Sequence, residues 1–197
     1  MPIVTPHHAA RGFTLVEMII VSVLFLLVIA GLMMTFLTGQ TSYVASDAYI
    51  QVQQEARRAF DSIVREARGA GGAITQATGQ LDFQTALGYN LGLAGCTANQ
   101  VCWGAKDQNN TAQPGWRLRY RVGGTQLLRE IVDGAGVVQA GTRVLANNVN
   151  AAGTSFAWNA GERVVTATLQ CRYQNARLPG GQQTVGPLTA RVRLRNP

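Results

Sequence analysis

Few residues in this 197-residue chain are of a type and spacing to do chemistry, and the first is a lone acid. Between Phe13 and Leu37, Glu17 is the only charged side chain, and from Met18 to Leu37 nothing is more polar than Ser22 and Thr35. A stretch of that length matches the ~30 Å hydrocarbon core of a bilayer. A carboxylate at the edge of such a segment is costly unless it meets a cation or a hydrogen-bond donor. An acid there is a functional candidate, set against the plainer alternative of a carboxylate snorkelling at the rim of an anchor.

The second chemistry is cationic. The formal charge is +7, carried by sixteen arginines and one lysine, Lys106. In "WRLRYRV", Trp116, Leu118, Tyr120 and Val122 alternate with Arg117, Arg119 and Arg121. Near the end of the chain, Leu188, Ala190, Val192 and Leu194 alternate with Arg191, Arg193 and Arg195. Period-two alternation puts each arginine row on one face of a strand. Together the rows are a candidate face for an anionic partner, DNA included. The plainer alternative is the solvated side of two strands, and basic rows without interleaved exposed aromatics are weak nucleic-acid signals. Opposed like charges repel, so the rows are not expected to pair with each other unless acids lie between them.

Catalytic chemistry has little support. Both histidines, His7 and His8, precede the apolar segment, so a chain shortened past them has no histidine for a triad or a metal site. Asp107, Asp133 and Glu162 are scattered, without the spacing of a calcium loop. No phosphate-binding glycine motif is present, and no cofactor is expected. Three cysteines, Cys96, Cys102 and Cys171, allow three single pairings. Cys96 with Cys102 is favoured because both lie in one short Gly/Asn-rich stretch, whereas Cys171 falls in an alternating run and reads as a small core residue.

The elements that must position these groups follow from periodicity. After Leu37 the chain turns polar, yet it holds no proline before Pro114. Tyr49, Val52, Ala56, Ala59, Phe60, Ile63 and Ala67 recur at steps of three and four, which predicts one apolar helix face. Arg68 followed by Gly69, Gly71 and Gly72 marks the stop, giving one helix over Phe13–Arg68. Gly31 and Gly39 are either hinges in it or small residues for close packing in lipid. Residues 69–115 read as a loop-rich connector with one short strand near Leu81–Gln84. A hairpin is expected at Gly123-Gly124, with further strands at Arg143–Val149, Thr154–Trp158, Arg163–Tyr173 and Leu188–Arg195. A helix with one apolar face, followed by half-apolar antiparallel strands, predicts an α+β fold in which the second helix half packs on a sheet.

"RGFTLVEMII" resembles the cleavage motif of type IV pilins and type II secretion pseudopilins, with Gly12, Phe13 and Glu17 at the motif positions. The resemblance implies a pilin-like fold and cleavage after Gly12 by a prepilin peptidase. Phe13 would become the N-methylated first residue, and Glu17 would meet the N-terminal amine of a neighbouring subunit. It divides the chain into a cleaved leader at 1–12, a transmembrane and filament-core helix half at 13–38, an amphipathic helix half at 39–68, the connector at 69–115, and a β head at 116–197. Arg11 is the only basic residue near either end of the apolar span, so the positive-inside rule places the N-terminus in the cytoplasm.

A looser likeness to PilW-like minor pilins and J-type minor pseudopilins rests on "LRYRV" with "LLREI", "VLANNV" with "TSFAW", and the closing "VRLRN". It implies a minor filament subunit that initiates or caps a type IV pilus. The alternatives are a J-type subunit of a type II secretion system and a DNA-binding pilin for uptake. Other pilins and an inner-membrane assembly platform are the implied partners. The implied location is the inner membrane before assembly, then the pilus or a periplasmic pseudopilus.

Overall fold

A computed structural model describes residues 12–174 and 181–195. The leader up to Arg11, with His7 and His8, lies outside the described residues. The chain divides into two compact units, Met1–Tyr43 and Val44–Pro197.

A single α-helix, α1, spans Leu15–Arg68. It starts two residues later than the expected Phe13, because Thr14 caps it. It runs through Gly31 and Gly39 without interruption. In the first unit every described residue is exposed. Around its apolar stretch mean hydropathy reaches 2.8, and none of that window is buried. A helix so apolar and so uncovered fits a single-pass membrane anchor.

In the second unit, α1 buries Val52, Ala56, Ala59, Phe60, Ile63 and Ala67, the expected stripe with one exception. Ala48 takes the buried place at the start of the stripe, and Tyr49 stays 38% exposed. Four of the seven buried helix positions are alanines, and the larger Val52, Phe60 and Ile63 supply most of the helix's apolar volume in the core.

Against this face stands a seven-stranded antiparallel sheet. Its strands are β1 (Ala70–Ala77), β2 (Gln80–Tyr89), β3 (Val101–Lys106), β4 (Ala112–Pro114), β5 (Arg117–Gly123), β6 (Gln126–Val132) and β7 (Val138–Ala146). The order is β4-β3-β2-β5-β6-β7, with β1 also paired to β2. A 3-10 turn at Ala151–Gly153 leads into β8 (Ser155–Asn159), β9 (Val164–Leu169), β10 (Arg172–Gln174), β11 (Gln182–Thr184) and β12 (Leu188–Arg193). Of these, β12-β9-β8 form a second sheet and β10-β11 a two-stranded ribbon. One core joins the buried helix stripe to Leu81, Phe83, Leu118 and Tyr120 of the first sheet and to Val165, Ala167 and Val192 of the second.

The expected hairpin at Gly123-Gly124 is present, with Gly123 opposite Gln126 and Gly124 at φ +62°, where a side chain would be strained. The short strand expected near Leu81–Gln84 lies within β2, but the reading of the rest of 69–115 as a loop-rich connector is corrected: the segment contributes β1 to β4. Its glycines serve packing as well as turns. A Cβ on Gly71 would lie 2.1 Å from the Trp103 ring, so the indole of β3 occupies the space a side chain on β1 would need. The expected strand over Arg163–Tyr173 is broken at Gln170–Cys171, where Cys171 instead bridges to Val149, and the strand expected at Arg143–Val149 begins earlier, at Val138.

Candidate functional site: the N-terminal segment and the arginines of the head

Gly12, Phe13 and Thr14 lie in non-helical backbone ahead of α1. A Cβ built on Gly12 would meet nothing within 4 Å, so packing in this chain does not require glycine there. Phe13 is 79% exposed. The Gly12–Phe13 peptide bond is therefore open and bordered by the smallest possible residue, the features a peptidase needs in order to seat a chain.

Thr14 and Glu17 form a capping box that the sequence reading passed over, although "TLVE" has its T-x-x-E spacing. The Thr14 N–H and Oγ1 both donate to Glu17 Oε2, at 2.8 and 3.0 Å. The Glu17 N–H donates back to Thr14 Oγ1 at 3.3 Å. Two orphan amides of the helix start are thus satisfied, and the acid sits at the positive end of the helix dipole. Glu17 Oε1 has no partner among the described residues.

On the head, the two faces of the first sheet carry different polar clusters. Toward α1, Tyr120 and Arg129 stand opposite each other on β5 and β6, and both reach Glu66 of the helix. The Tyr120 hydroxyl donates to Glu66 Oε2 at 2.5 Å, and Arg129 Nε donates to Oε1 and Oε2 at 2.9 Å each. Burial, then the Glu66 carboxylate, push the Tyr120 hydroxyl's pKa well above the tyrosine range, against the opposing pull of Arg129. For Arg129, burial disfavours the charge, but Glu66 outweighs it and the pKa is raised.

The other face holds the first arginine row, and the register brings acids to it. Asp82 on β2 is directly opposite Arg119, which is in turn opposite Glu130 on β6. Arg119 grips Asp82 at 2.9 Å, and Arg121 reaches Glu130 diagonally at 2.5 Å. Both acids are almost fully buried. The hydrogen bond from Arg119 to Asp82, and that from Arg121 to Glu130, raise the two guanidinium pKa values.

The second row, Arg191, Arg193 and Arg195, runs along and just past β12 in the other sheet, and Arg191 pairs with Glu162 at 3.2 Å. The expectation of a single basic sheet face is corrected: the rows lie in separate sheets, and carboxylates offset Arg119, Arg121 and Arg191. Of the first row, Arg117 has no ion pair among the described residues.

Two acids read as scattered have matching structural roles. Asp107 Oδ1 accepts the N–H groups of Asn109 and Thr111 while Oδ2 accepts Gln113 Nε2. Asp133 does the same with Ala135, Val137 and Gln139. The repeated D-x5-Q spacing was the available signal. The Thr111 N–H, then Gln113, hold the Asp107 carboxyl below its usual pKa. Cys96 and Cys102 are joined in a disulfide with Cα atoms 5.0 Å apart. Cys171 is a buried free thiol whose pKa burial pushes up to about 11, with a further contribution from the Glu55 charge. Among the described residues, no group of three or more His, Cys, Asp or Glu side chains is placed to hold a metal.

Residues 7–33 match the family described as the prokaryotic N-terminal methylation motif. The chain thus carries the type IV prepilin-like signal within residues 7–33. That motif implies processing by a prepilin peptidase and assembly with other pilins in a membrane. The long apolar helix followed by an antiparallel β head is the pilin-like α+β arrangement. No curated protein and no solved structure gives a significant match to the chain.

Proposed function

We propose that the chain is a non-enzymatic minor subunit of a type IV filament, and that it assists initiation or capping of assembly. The observation that carries the filament reading is the coincidence of the methylation motif at 7–33 with an uncovered apolar stretch whose one acid, Glu17, keeps an oxygen unengaged among the described residues. In this reading prepilin peptidase cuts the exposed Gly12–Phe13 bond and the new Phe13 amine is methylated. Glu17 keeps Thr14 on Oε2 and offers Oε1 to the amine of a neighbouring subunit. Arg11 keeps the leader on the cytoplasmic side before the cut, and an inner-membrane assembly platform receives the processed subunit.

Charge supports the minor role. A major subunit tiles against many copies of itself, whereas this chain keeps a formal +6 after losing Arg11 and commits four of its ten acids to internal ion pairs. Like-charged heads repeat poorly in a tight array unless acidic surfaces face them. Deleting the gene should sharply reduce the number of surface filaments, while those that form keep their diameter and main subunit. Quantitative mass spectrometry of sheared wild-type filaments should find this chain at a few copies, concentrated at one end. If it is the dominant protein, the minor role is wrong and the filament role stands.

A further inference from the structure

Where α1 ends, Arg65 and Arg68 of its last turn and Arg195 beyond β12 converge on an open groove of about 570 Å³, which Asp61, Val64 and Gly69 complete. The Arg195 N–H donates to the Arg68 carbonyl at 3.4 Å, so the helix end is tied to the segment just past β12. All three arginines are exposed, and none has an ion pair among the described residues. Against three positive charges stand Asp61 and the helix C-terminus, which carries roughly half a negative charge. Among the described residues no further acid lines the groove, and in a concave site potential is focused rather than spread.

We infer that this groove docks a carboxylate-rich segment of a different filament subunit. The inference rests on the initiating role proposed above and names the kind of neighbour it requires. Guanidinium forks suit carboxylates in paired geometry, and three at one groove select a segment with several acids over a single charge. A second copy of this chain is a poor occupant. Of its ten acids, Asp82, Glu130, Glu66 and Glu162 hold arginines, Asp107 and Asp133 cap turns, and Glu17 lies in the apolar helix. Glu55 already accepts the Asn147 N–H, and Asp47 holds Gln51.

The test places a photo-crosslinking p-benzoylphenylalanine at the exposed Asp61 of the full chain, in cells that assemble filaments. The expected product joins position 61 to an Asp/Glu-rich peptide of another filament subunit. Its yield should fall about tenfold when Arg65, Arg68 and Arg195 are all replaced by Gln, and should be kept when all three are replaced by Lys. The Lys variant separates lost charge from lost folding. Undiminished yield in the Gln variant, equal loss in the Gln and Lys variants, a peptide without carboxylates, a product with nucleic acid or with a second copy, or no product from assembled filaments would each overturn the groove's assignment. The two readings fail separately. If gene deletion leaves filament number unchanged while the charge-dependent crosslink forms, the initiating role falls and the groove stands. If deletion removes filaments while the crosslink ignores the arginines, the groove falls and the role stands.

Discussion

Thr14 and Glu17 close a reciprocal box at the start of α1, with Glu17 Oε2 accepting both the N–H and the hydroxyl of Thr14. The lone acid of the apolar segment thus has a local structural role that would by itself account for its presence. In the proposed filament it has a second, intermolecular role, and the two can be separated. Thr14→Val removes the cap, at about 1 kcal/mol of helix-end stability, but leaves the carboxylate. It should still enter filaments at near wild-type level. Glu17→Val should insert in the membrane and be cleaved, yet be largely missing from filaments. Equal incorporation of both variants in immunoblots of sheared filaments would reduce Glu17 to a helix cap.

Glu66 ties the second helix half to β5 and β6 through Tyr120 and Arg129. Both members of the ion pair are mostly shielded from water, with side chains 15% and 25% exposed. Arg129→Met should destabilise the head by about 1–3 kcal/mol, somewhat below the range for a fully buried pair. Arg191→Gln breaks an exposed pair and should cost no more than about 0.5 kcal/mol. Thermal unfolding of the full chain in detergent checks the ranking, with a drop in Tm of several degrees expected for the first variant alone.

The raised pKa of Tyr120 fixes the sign of an alkaline effect. The unfolded chain releases that proton near pH 10.0, whereas the folded chain holds it to higher pH. The associated stability is therefore complete below pH 10 and is lost as pH rises beyond it. Between pH 9 and 11 the wild type should lose stability more steeply than Tyr120→Phe. Parallel curves of unfolding midpoint against pH would contradict the assignment.

Cysteine chemistry offers a direct check on the head. With the disulfide between Cys96 and Cys102 and a buried Cys171, the native chain at pH 8 should react slowly, if at all, with a maleimide. Denaturation without reductant should expose one thiol, and reduction all three. A thiol that labels at once in the native protein would contradict the burial of Cys171.

The helix and the later strands were legible because their signals are local. The stripe from Val52 to Ala67 and the alternation of Leu118 with Tyr120 are set by periods that neighbouring residues share. β1, β3, β4 and the full length of β2 were hidden because their determinants lie in partners: Gly71 is small for the sake of Trp103, more than thirty residues further on. The arginine row was visible but its compensation was not, since only the register of β2, β5 and β6 brings Asp82 and Glu130 to Arg119 and Arg121. The groove at the end of α1 was illegible for the same reason, because Arg195 meets Arg68 only once β12 is in place. At the N-terminus, by contrast, Gly12, Phe13 and Glu17 stand within six residues, so the methylation motif over 7–33 is a local signal.

The proposed function stands on cleavage between Gly12 and Phe13 followed by assembly. The most direct measurement is the N-terminal peptide, by mass spectrometry, of this chain recovered from sheared filaments. The expected result is a peptide that begins at Phe13 with a methylated amine, and retention of the full leader with loss from filaments in Gly12→Leu. A wild-type chain recovered from filaments with Met1 and residues 2–12 still attached would contradict it.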